Sequence, residues 1–549
     1  MNSIQTLLTD HLDIWTDADT EKKSGRGRSS GNAASVYGIK KLRELILELA
    51  VRGKLVPQDP NDEPASELLE KIAAEKTRLI KQGVIRKENS LPAIADEEKS
   101  YQIPKSWEWV RLTDVYYSIS PSGKKLKTSE IVGEGKHPVV DQGQSYIAGY
   151  TNDSELLIVI PGPVVIFGDH TTEIKYIDFD FVAGADGTKI LRPYLMDERF
   201  FYTYLKSYKL ENRGYARHFK VLNDNLYVLP PLAEQRRIVA KVDELMALCD
   251  QLEQQQTHSI KAHQTLVETL LGTLTHVESQ QEFSAAWARI AGHFGTLFTT
   301  EASIDQLKQT ILQLAVMGKL VPQDLNDEPA LALLDRIAAQ KAEMAKNGKL
   351  RGPTSVVPMD PEEGNFQAPP SWLWVRFGEI MINRDGERIP VSKEEREGKA
   401  KVYDYYGASG VIDKIDDYLF DKPLLLIGED GANLINRSTP IAFIARGKYW
   451  VNNHAHVLDG ISEEFLRYIE LHINAINLEK YVTGTAQPKM NQAKMNTIPI
   501  ALPPLGEQHR IVAKVDELLA LCDTLKARLA DAQAIQIHLA DAIVEQAVC

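Results

Sequence analysis

Cysteine is scarce in this chain, with three in 549 residues, which excludes a disulfide framework. Cys249 and Cys522 recur at equivalent positions of an internal repeat, among apolar neighbours. We read them as small buried hydrophobes in a reducing cytoplasm and expect no metal site. No uninterrupted apolar run reaches the roughly 20 residues that span a bilayer, and residues 1–36 lack the apolar core of a signal peptide. The expectation is a soluble, cytoplasmic protein without a membrane partner. Basic charge is short too, with Lys and Arg numbering 63 against 76 Asp and Glu, a net −13. Nucleic-acid binders that act alone are usually basic, because replacing phosphate counterions supplies much of their affinity. If this chain touches DNA, another subunit should supply much of the phosphate grip. Catalytic signatures are missing as well: Gly53-Lys54 and Gly318-Lys319 are each followed by leucine, so neither completes a phosphate-binding loop. No Asn-Pro-Pro-Tyr or Asp-Pro-Pro-Tyr tract occurs, and we expect the chain to be inert alone.

What the chain does have is repetition. The tract Ala-Val-Arg-Gly-Lys-Leu-Val-Pro-Gln-Asp-Pro-Asn-Asp-Glu-Pro-Ala at 50–65 returns at 315–330, differing only at Arg52/Met317 and Pro60/Leu325. The tract Leu-Pro-Pro-Leu-Ala-Glu-Gln-Arg-Arg-Ile-Val-Ala-Lys-Val-Asp-Glu-Leu-Met-Ala-Leu-Cys-Asp at 229–250 returns at 502–523, changed only at Ala233/Gly506, Arg236/His509 and Met246/Leu519. Residues 112–228 and 377–501, between these blocks, barely resemble each other. The length exceeds the roughly 250 to 300 residues that one core serves, so several domains are expected. Two like frames holding two unlike inserts should bind two like partners and two unlike targets.

Helical spacing of Ile39, Leu42, Leu45, Ile46 and Leu49 predicts a helix over 37–52, stopped by Gly53. A second helix should follow, with Asp62 and Pro64 as cap and first-turn proline. Residues 304–349 repeat this pair, and 91–104 and 352–370 read as linkers. After the near-copied lead-ins Ser106-Trp107-Glu108-Trp109 and Ser371-Trp372-Leu373-Trp374, the inserts read as short strands, among them 156–165, 176–182, 424–427 and 441–445. Each carries a late helix, near 197–208 and 462–476. Each insert hands over to a long helix whose apolar residues alternate in spacing of four and three: Ile238, Val242, Leu245, Cys249 and Leu252, then Ile511, Val515, Leu518, Cys522 and Leu525. The first seam should resume at Leu266 and Leu270, and the second continue through Ala532 and Leu539. A helix packed on its own domain would show such a stripe too. If the chain closes with approximate twofold symmetry, the two long helices run antiparallel and hold the inserts apart.

The duplicated tracts at 229 and 50 resemble the conserved regions of the specificity subunit of type I restriction-modification enzymes, over about 38–549. The resemblance implies an α+β architecture with two mixed α/β target recognition domains, each reading one half of a split, asymmetric site in double-stranded DNA. It implies that the long helices form an antiparallel coiled-coil spacer with a pseudo-twofold internal repeat, setting the gap and docking two methyltransferase subunits. Up to two restriction subunits would join through the assembled methyltransferase. This chain would bind no cofactor; S-adenosylmethionine would sit on the methyltransferase partner, and ATP and Mg on the restriction partner. The expected domains are a flexible segment 1–36, a helical frame 37–90, a recognition domain 104–230 and a spacer helix 231–277. Then come a central frame 278–350 repeating 37–90, a recognition domain 369–503 and a spacer helix 504–549.

For base readout, corresponding late loops precede the Pro-Pro-Leu exits. Residues 213–220 carry Arg217, His218 and Lys220, and 483–489 carry Gln487 and Lys489. Arginine suits guanine and glutamine suits adenine, although an ordinary solvated turn has the same composition. Lys124 and Lys125, with Lys127, form a cluster suited to phosphates or simply a solvated charge run. Loops 168–172, with His170, and 429–433, with Asn433 and nearby Arg437, follow strand-like runs where recognition residues often sit; plain hairpin turns are the alternative. Asp169 with Glu173 and Lys175 faintly resembles a nuclease site, but the short spacing favours a solvent-exposed strand. His454 and His456 alternate as on one strand face without a third ligand to complete a zinc set, leaving a base contact or a satisfied polar pair. Two rivals remain: a helical-repeat scaffold joining two identical partners without DNA readout, and a fused nuclease.

Overall fold

The computed structural model describes residues 10–17, 37–86, 92–121, 123–184, 187–208, 210, 217–277, 280–348, 355–484 and 487–548. Contacts divide the chain into two units, Met1–Ser259 with Ala532–Cys549, and Ile260–Asp531. In the first, the frame helix Tyr37–Val51 ends at Gly53, whose φ is +69°. A Cβ there would stand 2.5 Å from Pro104 Cγ and 3.2 Å from Trp107, so glycine lets the linker close over the helix end. In the second unit Gly318 does the same after Glu301–Val316, against Pro369 and Trp372. The next frame helices are Ala65–Lys81 and Ala330–Lys346. Asp62 does not cap the first of them. Pro64 is the N-cap, without a side-chain bond, and Asp62 instead pairs with Arg237 of the long helix at 2.5 Å. Asp327 and Arg510 repeat that pair at 2.6 Å.

The copied tracts meet around a buried glutamate. Glu234, in the first turn of the long helix Leu232–His276, accepts from the Trp107 indole at 2.9 Å and, on its other oxygen, from the Gln58 amide. Ser106 donates to the Gln58 oxygen at 3.1 Å and fixes which end of that amide faces the carboxylate. Gln235 donates to the Pro230 carbonyl at 2.9 Å. Glu507, Trp372, Gln323, Ser371, Gln508 and Pro503 form the same arrangement at the start of Leu505–Val548. Burial raises the pKa of Glu234 and of Glu507, partly offset by the tryptophan and glutamine hydrogen bonds.

Each long helix begins in one unit and ends in the other. In the first unit Ile238, Val242, Leu245 and Cys249 are buried against Ile39, Leu42, Ile46 and Leu49, with Leu252 partly covered and Ala540 completing the core. Arg43 of the frame helix donates to Asp250 and Glu253 at 2.7 and 2.9 Å. From the end of the other long helix, Asp541 accepts from Tyr37 at 2.9 Å and the Val548 carbonyl accepts from Lys54 at 2.8 Å. In the second unit Ile511, Val515 and Cys522 are buried with Ile304, Leu307, Ile311, Val267, Leu271 and Leu274, while Leu518 and Leu525 are partly covered. Lys319 donates to the carbonyls of Thr275 and Val277 at 2.7 and 2.8 Å. The lysine of each copied Gly-Lys tract thus caps a helix C-terminus, where cations are favoured.

Continuation of the stripes differs from the heptad expectation. Leu266 is 50% exposed and Val267 1%; Leu539 is 45% exposed and Ala540 0%; Ala532 is exposed. Val267 follows Cys249, and Ala540 follows Cys522, by eighteen residues, about five full turns of a straight helix at 3.6 residues per turn. A strict heptad drifts off that face over the same distance.

Two further expectations change. Residues 10–17, inside the segment read as flexible, contain the helix Leu12–Asp17, whose Trp15 is fully buried; its carbonyl would lie 2.4 Å from a Cβ at Gly38. The central frame carries an additional helix, Gln280–Gly292, ahead of its repeat of 37–90. Among the described residues no helix is long and apolar enough to cross a membrane.

Each insert folds as two small sheets, and a two-stranded pair of its lead-in with its exit closes it, Glu108–Arg111 with Leu226–Leu229 and Leu373–Arg376 with Pro499–Leu502. The first orders Tyr116–Ile119, Thr188–Pro193, Val164–Gly168 and Ile174–Ile177 in one sheet and Gly149–Thr151, His137–Val140 and Val182–Ala183 in the other. The run 156–165 is strand only from Val164, because Pro161, Gly162 and Pro163 interrupt it. The second insert orders Ile382–Asn383, Ala455–Asp459, Leu424–Gly428 and Ala442–Ala445, and separately Gly410–Ile415, Tyr403–Gly407, Lys448–Val451 and Phe420–Asp421. Late helices Glu198–Ser207 and Glu463–Ala475 start at Asp197 and Ser462, which cap them. The observed class is mixed α/β, with two sheet domains and long helices.

Only a carboxylate offers acceptors to both Trp107 and Gln58. Glu234→Gln is therefore expected to leave one donor unmatched and lower stability by about 1–3 kcal/mol. Denaturant unfolding of the full chain checks this; an unchanged midpoint would remove the shared carboxylate as the frame's anchor.

Candidate nucleic-acid interface

In the first insert Asp169 opens the turn after Val164–Gly168. Its carbonyl accepts from the His218 amide at 2.8 Å, its carboxylate accepts from the Phe219 amide at 2.8 Å, and Lys189 lies 3.5 Å away. This residue ties loop 168–172 to the late loop, so two candidate segments distant in sequence become neighbours. Arg217 and Lys220 are exposed on this pair and His170 is half-buried. Residues 213–216 lie outside the described residues. His218 departs from the expectation of a DNA-facing side chain: it is fully buried, with Nδ1 3.0 Å from the Asp169 carbonyl. Lys124 and Lys125 are exposed elsewhere, where Lys125 bridges to Ala183 of the second sheet and Lys124 donates to the Leu157 carbonyl at 3.1 Å. The nuclease-like grouping is not assembled. Asp169 and Lys175 are both buried rather than on a solvent-exposed strand, and Lys175 donates to the carbonyls of Asp141 and Ser145.

The second insert makes the equivalent join with backbone. Gly431 N donates to the Pro488 carbonyl at 3.0 Å, Met490 N to the Glu429 carbonyl at 2.8 Å, and Asp430 bridges to Lys489. Gln487, Lys489 and His454 are exposed on this surface. Lys489 pairs with Glu429 at 3.1 Å, and His454 lies 2.8 Å from Asp430, so both begin in local ion pairs. Two other candidates are spent internally. Asn433 holds its own turn through Thr439 and Ser438, and Arg437, at φ +48°, donates to the carbonyls of Asn474 and Ile476 at the end of the late helix. Burial pulls the Arg437 pKa below its usual value. Arg388 joins Glu429 at 2.9 Å and the Ala455 carbonyl at 2.7 Å. Nothing in the local sequence flagged it, because its partners come from distant strands. Among the described residues no cluster of three His, Cys, Asp or Glu could hold a metal ion.

The two histidines of the sequence pattern separate. His456 is buried between Asp385, at 2.6 Å, and the Met490 carbonyl, at 2.9 Å; despite burial, these partners raise its pKa. His472, on the late helix, is the opposite case. It is fully buried, with neither ring nitrogen in a well-formed hydrogen bond, and burial, slightly offset by the backbone at Pro499, lowers its pKa to about 4.

Paired α/β domains, each presenting a joined loop pair from a repeated helical frame, define a two-domain recognition module. A family model described as "Type I restriction modification DNA specificity domain" matches residues 104–262 and 369–532. The type I restriction enzyme EcoEI specificity subunit of Escherichia coli is 37% identical over 595 residues, covering 100% of both chains. The EcoAI specificity subunit of Escherichia coli is 38% identical over 601 residues, again covering 100% of both. A chain solved in work on complex assembly and conformational transition of the type I R-M system is 18% identical, covering 82% of this chain and 99% of that one, with a TM-score of 0.44. The chain belongs to the type I restriction-modification specificity family.

A histidine whose folded pKa is depressed loses stability as pH falls from its unfolded value, about 6.5, towards about 4, on the order of 3 kcal/mol. His456 acts in the other direction: its contribution is complete below about 6.5 and fades as pH rises through its raised folded value. The stability of the unaltered chain relative to His472→Phe should therefore fall from pH 7 to pH 4, measured by urea unfolding. A gap independent of pH would show that His472 is not held neutral.

Proposed function

We propose that this chain is the noncatalytic DNA-recognition and assembly subunit of a type I restriction-modification system. Each recognition domain, 104–230 and 369–503, reads one half of a bipartite, asymmetric site in double-stranded DNA. The helices dock two methyltransferase subunits and fix the gap, and up to two restriction subunits join through the methyltransferase. The chain itself carries no cofactor; S-adenosylmethionine belongs to the methyltransferase partner, and ATP and Mg to the restriction partner. The observation that carries this reading is the contrast between frames that repeat the same anchor, Glu234 with Trp107 and Gln58 and Glu507 with Trp372 and Gln323, and exposed loop pairs that differ, Arg217 and Lys220 against Gln487 and Lys489. The family description, a DNA specificity domain, favours it over a scaffold without DNA readout.

An antiparallel coiled-coil spacer with a pseudo-twofold repeat is part of the same proposal. Its support is that each long helix begins in one unit and ends buried in the other. The net charge of −13 fits a chain that reads bases while its partners hold phosphates.

One chain is expected to take up two copies of one methyltransferase subunit, measured by native mass spectrometry of the complex at saturation; a stable complex with a single copy contradicts the paired frames. Arg217→Ala and Gln487→Ala should each relax methylation at one half-site only, by about 1–3 kcal/mol of discrimination. Sequencing methylated host DNA reads this out. Uniform weakening with an unchanged motif would reduce both loops to phosphate contacts or packing.

A further inference from the structure

The first recognition domain spends a buried lysine on a loop that the sequence pattern passed over. Lys175 lies on the edge strand Ile174–Ile177 and is 5% exposed. Its ammonium donates to the carbonyls of Asp141 at 2.8 Å and Ser145 at 2.6 Å, and stands 3.6 Å from the Asp141 carboxylate, which also accepts from Gly143 N at 2.8 Å. Taking an ammonium out of water is costly, and here it closes residues 141–145 into one turn that ties the two sheets of the domain together.

That turn abuts the recognition loops. The Gln142 carbonyl accepts from Thr171, its side-chain oxygen accepts from the His170 amide at 3.1 Å, and a Cβ at Gly187 would meet that oxygen at 2.4 Å. Loop 168–172 is in turn bound to the late loop through Asp169. Tyr146 is anchored by its hydroxyl on the Tyr176 carbonyl at 2.6 Å. Gln144 stands exposed at the crown of the turn. In the second domain the corresponding connection is a tight hairpin closed by pairing of Gly407 with Gly410, so a connection alone needs no buried cation.

From this geometry we infer that residues 141–146 are a third reading segment of the first half-site, in which Gln144 contacts a base edge and Lys175 is the positioning residue that holds it. The inference rests on the DNA-reading role proposed above. A glutamine amide both donates and accepts, which matches adenine in the major groove.

The test uses the assembled methyltransferase complex carrying Gln144→Ala, Lys175→Met, both together, or Lys175→Arg, with methylated sites read by sequencing host DNA. Gln144→Ala should reduce preference at one base position of one half-site by about fivefold or more. Lys175→Met should relax the same position, the double variant should go no further, and Lys175→Arg, which keeps a cation with several donors, should retain more of the preference than Lys175→Met. The other half-site should not change. If Gln144→Ala leaves the motif intact while Arg217→Ala alters it, the assignment of Gln144 falls and the domain's reading role stands. If exchanging the whole of 104–230 for another recognition domain leaves the half-site unchanged, the reading role itself falls, and this inference with it. A uniform loss of methylation with Lys175→Met at an unchanged motif overturns its positioning role.

Discussion

A carboxylate buried at the start of each long helix fastens frame, insert and long helix together. Glu234 and Glu507 each receive two donors, a tryptophan from the lead-in to an insert and a glutamine from the frame. Each cluster therefore joins three segments far apart in sequence: frame, insert and long helix. Leaving any donor unmatched in such a place costs more than the bond itself contributes. Gln58 and Glu234, and their copies Gln323 and Glu507, lie within the nearly identical tracts at 50–65 and 315–330 and at 229–250 and 502–523. The arginine–aspartate pairs beside them, and the lysines on the helix C-termini, extend the same fastening.

With the frames fixed this way, the inserts are free to differ at their loops. Both domains bring the turn after a central strand against the late loop, but one uses the Asp169 side chain and the other a backbone bridge. The exposed residues on the joined loops are then unlike, which is what two unlike half-sites would require. Acidic partners also sit on the second surface, Glu429 and Asp430 among them. Lys489 and His454 would have to exchange those partners for DNA, a trade that contributes more to selectivity than to raw affinity.

Much of this could be read from sequence, and the exceptions have physical causes. Helices and their ends were legible because apolar spacing and glycine act locally: Tyr37–Val51 stops at Gly53 as expected, and Asp197 and Ser462 cap the late helices. In the far halves of the long helices burial falls one residue beyond the expected positions, at Val267 and Ala540, because it recurs after eighteen residues and a count by sevens and fours does not reach that face. Asp62 looked like a cap because its partner, Arg237, is distant in sequence. Trp15 left little signal because its helix, Leu12–Asp17, is too short to show a periodicity, and its burial comes from packing on Tyr37–Val51. At the candidate interface the loops singled out by sequence come together in pairs, but residue type alone could not separate Arg217, which is exposed, from His218 and Arg437, which bond to backbone carbonyls. Arg388 left no local signal, and Lys175 was legible only as part of an exposed strand, because the partners of each lie far away in sequence.

The central proposal is that the long helices would set the spacing between two separately anchored reading domains. Residues 254–259 are largely exposed between the buried Cys249 and Val267, and 527–532 stand correspondingly between Cys522 and Ala540. Four helix-forming residues inserted in both stretches add about 6 Å at 1.5 Å per residue and keep the far stripes nearly in phase. Methylation profiling of that variant should show both half-sites unchanged and a gap longer by about one or two base pairs, at 3.4 Å each. Full activity on the original gap would contradict the account.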